Sequence, residues 1–101
     1  MTVSATEQAP RRLHKLKCEA PHFGAIVGRS KRNEVRLNDR DFHTYDFILL
    51  CEVIPREEGP PEATGREVLT TITHVLPGGS YGIDSQYVVL SIEVVADVNR
   101  A

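Results

Sequence analysis

Residues 31–42 carry the densest set of side chains able to do chemistry, with seven charged residues among twelve. Lys31 precedes Glu34 by three positions, so the ammonium can act as a base, hold a phosphate or simply pair with the carboxylate. Arg36 adds a planar fork that suits a phosphate or the edge of a base. The alternative is a solvated edge strand in which these charges form ordinary surface pairs. The segment therefore predicts an anion-binding site or an exposed ion-pair cluster.

Other polar residues near this segment are weaker candidates. Arg40 is a further candidate ligand, whereas Asn38 and Asp39 are turn formers more than ligands. His14 is a candidate general base or ligand because a histidine titrates near neutral pH, although a lone histidine is more often structural. Lys17 lies on the same predicted strand but on the opposite face, so at most one of His14 and Lys17 points into a given cleft.

Hydrophobic periodicity predicts the elements that position these residues. On an extended strand alternate side chains take opposite faces, so Glu34 and Arg36 share one face while Val35 and Leu37 share the other. One face can then be buried while the other presents an ion pair. Further strands are predicted at 13–17, 47–54, 66–76 and 86–95, and a short helix at 19–27.

The connections complete the predicted architecture. Residues 55–65 hold three prolines and two glycines and predict a surface loop. Residues 77–79, Pro-Gly-Gly, predict a tight turn. One early helix followed by about five strands favours an α+β fold, with a mostly antiparallel sheet curled into a small barrel. Val68, Ile72 and Leu76 should share one face of their strand, with His74 at the edge of the core.

Length and composition bound the function. A chain of 101 residues fits one domain, here predicted at 11–95 between a flexible lead of residues 1–10 and a tail of residues 96–101. The formal net charge of -2 argues against bulk electrostatic binding of nucleic acid. Nine of the twelve Lys and Arg residues nevertheless lie at or before Arg40, so a local basic patch is compatible with the composition.

Cysteine usage and hydropathy predict neither a metal site nor a membrane segment. Cys18 and Cys51 have no Cys-x-x-Cys or His-x-His spacing beside them, so we expect no metal and no cofactor. No apolar stretch is long enough to cross a bilayer, and the N-terminus lacks the core of a signal peptide. These features predict a cytoplasmic protein whose thiols stay reduced.

Several of these residues together resemble the ASCH domain of the PUA-like superfamily, and in particular a small bacterial and phage branch of it. The resemblance runs from about residue 11 to residue 95. Its motifs are LHKLK at 13–17, KxxEVR at 31–36, NDRxF at 38–42, TGREV at 64–68, the Gly-Gly and Tyr-Gly pairs at 78–82, and the closing strand YVVLSI at 87–92. The run ExRxNDR at 34–40 is its most specific part.

The resemblance implies a barrel of five or six strands, with a cleft beside an early helix that holds the lysine, glutamate and arginine. Such families are thought to bind RNA or modified nucleotides, and one bacterial relative hydrolyses an acylated cytidine nucleoside. That relative has a lysine at the position of Lys31 but a threonine where this chain has Glu34, so the supposed nucleophile is missing. Arg29 and Tyr45 also stand where the family pattern has glycine.

Three hypotheses follow for function. The first is a module that binds a nucleotide or single-stranded RNA, with Glu34 at the base edge and the arginines on the phosphate. The second is a metal-independent amidohydrolase on a modified nucleoside, with Lys31 as base and Glu34 orienting water. The third, from another class, is a phage-type inhibitor whose acidic second half faces a host protein. The sequence does not indicate the oligomeric state.

Overall fold

The computed structural model describes residues 10–97 of the chain. Its elements follow in the order β1 (Leu13–Glu19), α1 (Ala20–Val27), β2 (Asn33–Leu37), β3 (Phe47–Ile54), β4 (Glu62–Pro77) and β5 (Tyr87–Asp97). The predicted lead lies outside the described residues except for its last one. The predicted tail begins inside β5, where Ala96 pairs with Leu69, and the rest of it lies outside the described residues from residue 98 onward.

The five strands form one curled sheet, a half-barrel, in the order β1-β3-β4-β5-β2. Strand β1 runs parallel to β3, whereas the other three pairings are antiparallel. The 16-residue strand β4 pairs with β3 through its first part and with β5 through its second. It is the central strand of the curled sheet. The fold is therefore α+β with five strands, and β1 and β2 are its two outer strands.

Helix α1 follows β1 directly and closes one end of the half-barrel. Pro21 lies in its first turn, where a missing N–H costs nothing, and Gly28 caps its end. Phe23 and Ile26 are fully buried, because the helix packs this face against β1, β3 and β5. Within residues 10–97, no helix has both the length and the apolar character needed to span a membrane.

The core fills the concave side of the sheet under the helix. Thr70, the one fully buried polar residue of β4, donates its hydroxyl to the carbonyl of Ile48 at 3.0 Å and so adds no unpaired group. The buried hydrophobic side chains that touch one another are Leu16, Cys18, Phe23, Ile26, Phe42, Ile48, Leu50, Val68, Ile72, Val88, Leu90 and Ile92.

Strand β2 alternates as predicted, but the charged face is the one that turns inward. Glu34 pairs with Leu90 and Arg36 with Val88, and both partners point into the core. Glu34 is consequently only 5% exposed, while Val35 is 58% exposed on the outer face. The expectation that an apolar face would be buried and an ion pair presented to solvent is wrong for this strand, because register with β5 decides which face is inside.

A bulge in β4 reverses the predicted faces near its end. The pairing with β5 shifts between Ile72 and His74, so that Val75, not Leu76, lies opposite the buried Leu90 and packs against the core. His74 is exposed for the same reason, and its predicted place at the core edge is wrong. One extra residue in a strand moves every later side chain to the other face.

The proline-rich loop is shorter than predicted. Strand β4 begins at Glu62, since Glu62 and Ala63 pair with Ile54 and Val53 at the end of β3. The last four residues of the predicted 55–65 loop are thus strand. The turn predicted at 77–79 begins one residue later, since Pro77 still pairs with Val88. Gly78 has no room for a Cβ there because the carbonyls of Asp84 and Tyr87 stand against it.

Candidate functional site

An open seam separates the two outer strands of the half-barrel. In a parallel pair one set of backbone groups faces the partner and the alternate set faces away. The N–H of Phe47 in β3 binds the carbonyl of Arg12, so Leu13, Lys15 and Lys17 direct their backbone groups toward the seam. In the antiparallel pair of β2 and β5, the N–H of Ile92 binds the carbonyl of Arg32. The next residue, Asn33, therefore directs its backbone groups away from β5 and toward the seam.

The main cavity of the site, here called the cleft, lies in this seam. Its volume is ≈ 510 Å³. Its polar lining has three cationic and two acidic side chains, so the formal balance is positive on a molecule that is negative overall. The lining residues are Lys17, Cys18, Glu19, His22, Lys31, Asn33, Glu34, Val35, Arg36, Val53 and Pro61.

Glu34 is the buried centre of the charged cluster in the cleft. One carboxylate oxygen accepts from the Lys31 ammonium at 3.2 Å. The other accepts from Nε of Arg36 at 2.8 Å and lies 2.7 Å from Nη2 of the same guanidinium as an ion pair. The Lys31 ammonium also donates to the carbonyl of Asn33. Because both of its oxygens bind cations, the carboxylate holds Lys31 and Arg36 in place at the wall of the cleft.

Arg36 also connects the two outer strands. Its Nη2 donates to the carbonyl of Lys17 at 2.7 Å, so that a β2 side chain satisfies a backbone acceptor on the free edge of β1. Its Nη1 takes part in no hydrogen bond with the residues that the structure describes. The guanidinium therefore connects β2 to β1 through Nη2 and leaves Nη1 available to a ligand.

Cys18 lies beside this cluster as a buried thiol. Burial, followed by the nearby Glu34 carboxylate, raises the pKa of its thiol from 9.0 to about 11. A thiol in that range is protonated at neutral pH and reacts slowly. Across residues 10–97, no three His, Cys, Asp or Glu side chains lie close enough to one another to hold a metal ion.

The chain was also compared with known protein families. Residues 13–92 match the family described as Domain of unknown function (DUF3850). The chain belongs to the DUF3850 family. The matched residues run from the first residue of β1 into β5 and include every element that lines the cleft. The comparison with curated proteins found no match.

His14 lies outside the cleft of this DUF3850 domain. It is buried on the inner face of β1, where its Nε2 contacts Asp46 Oδ2 at 2.9 Å and its ring packs against Phe42. Asp46 also accepts from the backbone N–H groups of Arg12 and His43. Burial raises the pKa of Asp46, but these hydrogen bonds outweigh burial and the pKa is lowered. The pair fixes the segment before β3 to the start of β1.

The other predicted ligands lie in the turn that follows β2. Asn38 donates its N–H to the carbonyl of Gln86, and the N–H of Asp39 binds the carbonyl of Leu37. Arg40 pairs with Asp39 at 3.9 Å, with both side chains about half exposed. None of the three lines the cleft. Of the eight candidate residues, the DUF3850 fold thus brings four to the cleft: Lys17, Lys31, Glu34 and Arg36.

Sequence reasoning missed the other residues of the cleft, the acidic Glu19 among them, and a neighbouring cavity. His22, on the exposed side of α1, and Asn33 both line the cleft, although no motif marks them. Beyond Lys31 a second cavity of ≈ 320 Å³ lies between the end of α1 and β5. In the sequence, this second cavity is indicated by three basic residues that directly follow the predicted helix: Arg29, Lys31 and Arg32.

Two residues beside the site have a left-handed backbone. Arg29, just before Lys31, has φ 65°, and Tyr45, just before Asp46, has φ 74°. A residue with a Cβ is strained in this region, and glycine is not. Glycine would relieve this strain at both positions.

Proposed function

We propose that the cleft binds the phosphate of a nucleotide or of single-stranded RNA, on Lys31 and Arg36. The observation that carries the proposal is the cluster itself: a buried carboxylate positions two cations at the wall of an open cavity. Cations held in place in advance lose less conformational entropy when they bind a ligand. A phosphate is the ligand class that suits an arginine fork beside an ammonium.

The donors that remain free support an anion as the ligand. Nη1 of Arg36 has no partner among residues 10–97, and the exposed ammonium of Lys17 at the rim has no carboxylate within ion-pair distance in that part of the chain. A phosphate in the cleft would therefore gain new charge-assisted hydrogen bonds without breaking those of Glu34. The ligand is predicted to bind less tightly as salt rises.

Glu34 has a positioning role in this proposal. Both of its oxygens already accept from cations, so they are poorly placed to read the edge of a base. Lys31 is likewise better suited to bind a phosphate than to remove a proton, because its ammonium is paired with a carboxylate. This pairing favours binding over the amidohydrolase reaction.

We also propose that the fold is PUA-like, of the ASCH type. The support is the curled five-stranded sheet with a helix after its first strand, the cleft beside that helix, and the left-handed backbone at Arg29 and Tyr45. The nucleotide proposal rests on the cleft and does not require this relationship, because a fold alone does not specify a function.

The test uses two probes, a 5′-phosphorylated uridine hexanucleotide and uridine 5′-monophosphate, and measures their binding across a salt series. The proteins compared are wild type, Arg36→Lys and the double variant Lys31→Gln/Arg36→Gln. Wild type should bind, and each lost charge-assisted contact should weaken binding about tenfold. Arg36→Lys keeps the charge but loses the fork. Arg66→Lys is the matched control, since Arg66 pairs at 3.7 Å with the buried carboxylate of Glu52 outside the cleft.

Three outcomes would count against phosphate binding. The first is no binding of either probe by folded wild type at low salt. The second is equal weakening by the Arg66→Lys control. The third is release of cytidine from an N4-acylated cytidine by wild type but not by Lys31→Gln, which would identify the hydrolase. Copurification with a host protein that survives Lys31→Gln/Arg36→Gln would favour the inhibitor hypothesis.

A further inference from the structure

The second cavity shares a wall with the cleft. Lys31 lines both, the cleft on one side and the ≈ 320 Å³ cavity on the other. The cavity is bounded by the turn after α1, which supplies Arg29 and Arg32, and by the middle of β5, which supplies Glu93. Its floor is apolar, formed by Ile26, Ile92 and Val94.

The two arginines of this cavity have no acidic partner. Neither Arg29 nor Arg32 forms an ion pair with a carboxylate in residues 10–97, although Glu93 lines the same cavity. Other arginines of the domain do: Arg12 pairs with Asp41, and Arg36 with Glu34. Uncompensated positive charge beside a cavity attracts anions.

Backbone geometry holds this basic turn in one conformation. The N–H groups of Arg29 and Lys31 bind carbonyls of Ile26 and Ala25 in the last turn of the helix. Nε of Arg32 donates to the carbonyl of Arg29 at 3.3 Å, and the carbonyl of Arg32 accepts from Ile92 in β5. The turn is thus fixed at both ends, so the positions from which its arginines extend are set before any ligand binds.

We infer that this cavity is a second phosphate subsite, and that the ligand of the protein is a polynucleotide strand rather than a mononucleotide. The inference rests on the proposed function of the cleft. A strand whose one phosphate lies on Lys31 and Arg36 places the next phosphate beyond Lys31, on Arg29 and Arg32. The apolar floor packs against the intervening sugar. Among residues 10–97, the cleft has no Phe, Tyr or Trp and only the ring of His22, and the second cavity has no ring, so phosphate contacts supply most of the affinity and sequence preference is weak.

The experiment compares uridine 5′-monophosphate with the 5′-phosphorylated dinucleotide pUpU, titrated into wild type, Arg29→Gly/Arg32→Gln and the control Arg11→Gln/Arg56→Gln. Glycine suits the left-handed backbone at position 29, so the first double variant should fold. The control removes the same charge from exposed arginines that line neither cavity. A thermal melt of each protein confirms folding.

Wild type and control should bind pUpU at least about tenfold more tightly than the mononucleotide, which corresponds to about 1.4 kcal/mol. Arg29→Gly/Arg32→Gln should bind the mononucleotide as wild type does but lose this gain, with a shallower salt dependence for pUpU. A gain that persists in this variant, or that is lost equally in the control, overturns the second subsite alone. Absence of binding of both probes by wild type overturns the proposed function and the subsite together.

Discussion

Replacing the buried carboxylate of the cleft by its amide should destabilise the fold by a measurable amount. Glu34 is 5% exposed, and it is the acidic partner of both Lys31 and Arg36. In Glu34→Gln one amide oxygen still accepts from Arg36, but the NH2 group faces the Lys31 ammonium. The variant therefore loses one ion pair outright, weakens the other, and places two positive charges near each other without a counter-charge.

The size of the effect follows from burial. Removing one partner of a fully buried ion pair costs about 3–5 kcal/mol. Lys31 and Arg36 are about a quarter exposed, so water screens part of their repulsion, and the amide keeps one acceptor. Together these reduce the expected loss to about 2 kcal/mol of unfolding free energy. For a domain of this size that lowers Tm by about 10 °C.

The assay is thermal and urea unfolding of Glu34→Gln beside Glu57→Gln, which removes an exposed carboxylate of the 55–61 loop as a control. The measurements are repeated in 1 M salt, because salt screens exposed pairs far more than buried ones. The deficit of Glu34→Gln should persist at high salt. A Tm within a degree of the control, or a deficit that disappears in 1 M salt, would show that the cluster is an ordinary surface network.

Two further predictions concern residues outside the cleft. Because the pKa of Asp46 is lowered in the folded state, its contribution to stability is present above its ordinary value of 3.8 and is lost as pH falls from there toward the folded pKa. Asp46→Asn should therefore flatten the pH dependence of the unfolding free energy below pH 3.8, and an unchanged profile would contradict this. Tyr45→Gly should be more stable than Tyr45→Ala by about 1 kcal/mol, since both lose the ring and only glycine relieves the left-handed strain at φ 74°, whereas an equal or lower Tm for the glycine variant in thermal melts would refute it.

Local patterns in the sequence predicted where the helix and the strands lie, but not which face of each strand is buried. The alternation in residues 13–17 correctly placed His14 and Lys17 on opposite faces, and residues 33–37 were correctly read as an alternating strand. Burial of Glu34 was not predictable in this way. It depends on the pairing of β2 with Leu90 and Val88, more than 50 positions away, and no local pattern reports such a register.

Irregular pairing accounts for the other differences. The shift between Ile72 and His74 moves Val75 onto the core and His74 into solvent, and neither residue type signals a bulge there. The charged run at residues 31–36 did indicate a cluster of charges, and three of its four charged residues line the cleft. His14, by contrast, lies on the face of β1 opposite to Lys17, and its contact with Asp46, which no local pattern predicts, holds it outside the cleft.

Arg36 donates to the carbonyl of Lys17, so the separation of β1 from β2 is thermodynamically coupled to ligand binding in the cleft. An anion that draws the guanidinium away from β1 would loosen the first strand, and one that binds the free Nη1 would hold it closed. Linkage is reciprocal, so whatever changes the separation of the outer strands changes affinity by the same factor. Amide exchange in β1, measured with and without ligand, therefore reports on binding in the cleft, which this strand lines with Lys17, Cys18 and Glu19.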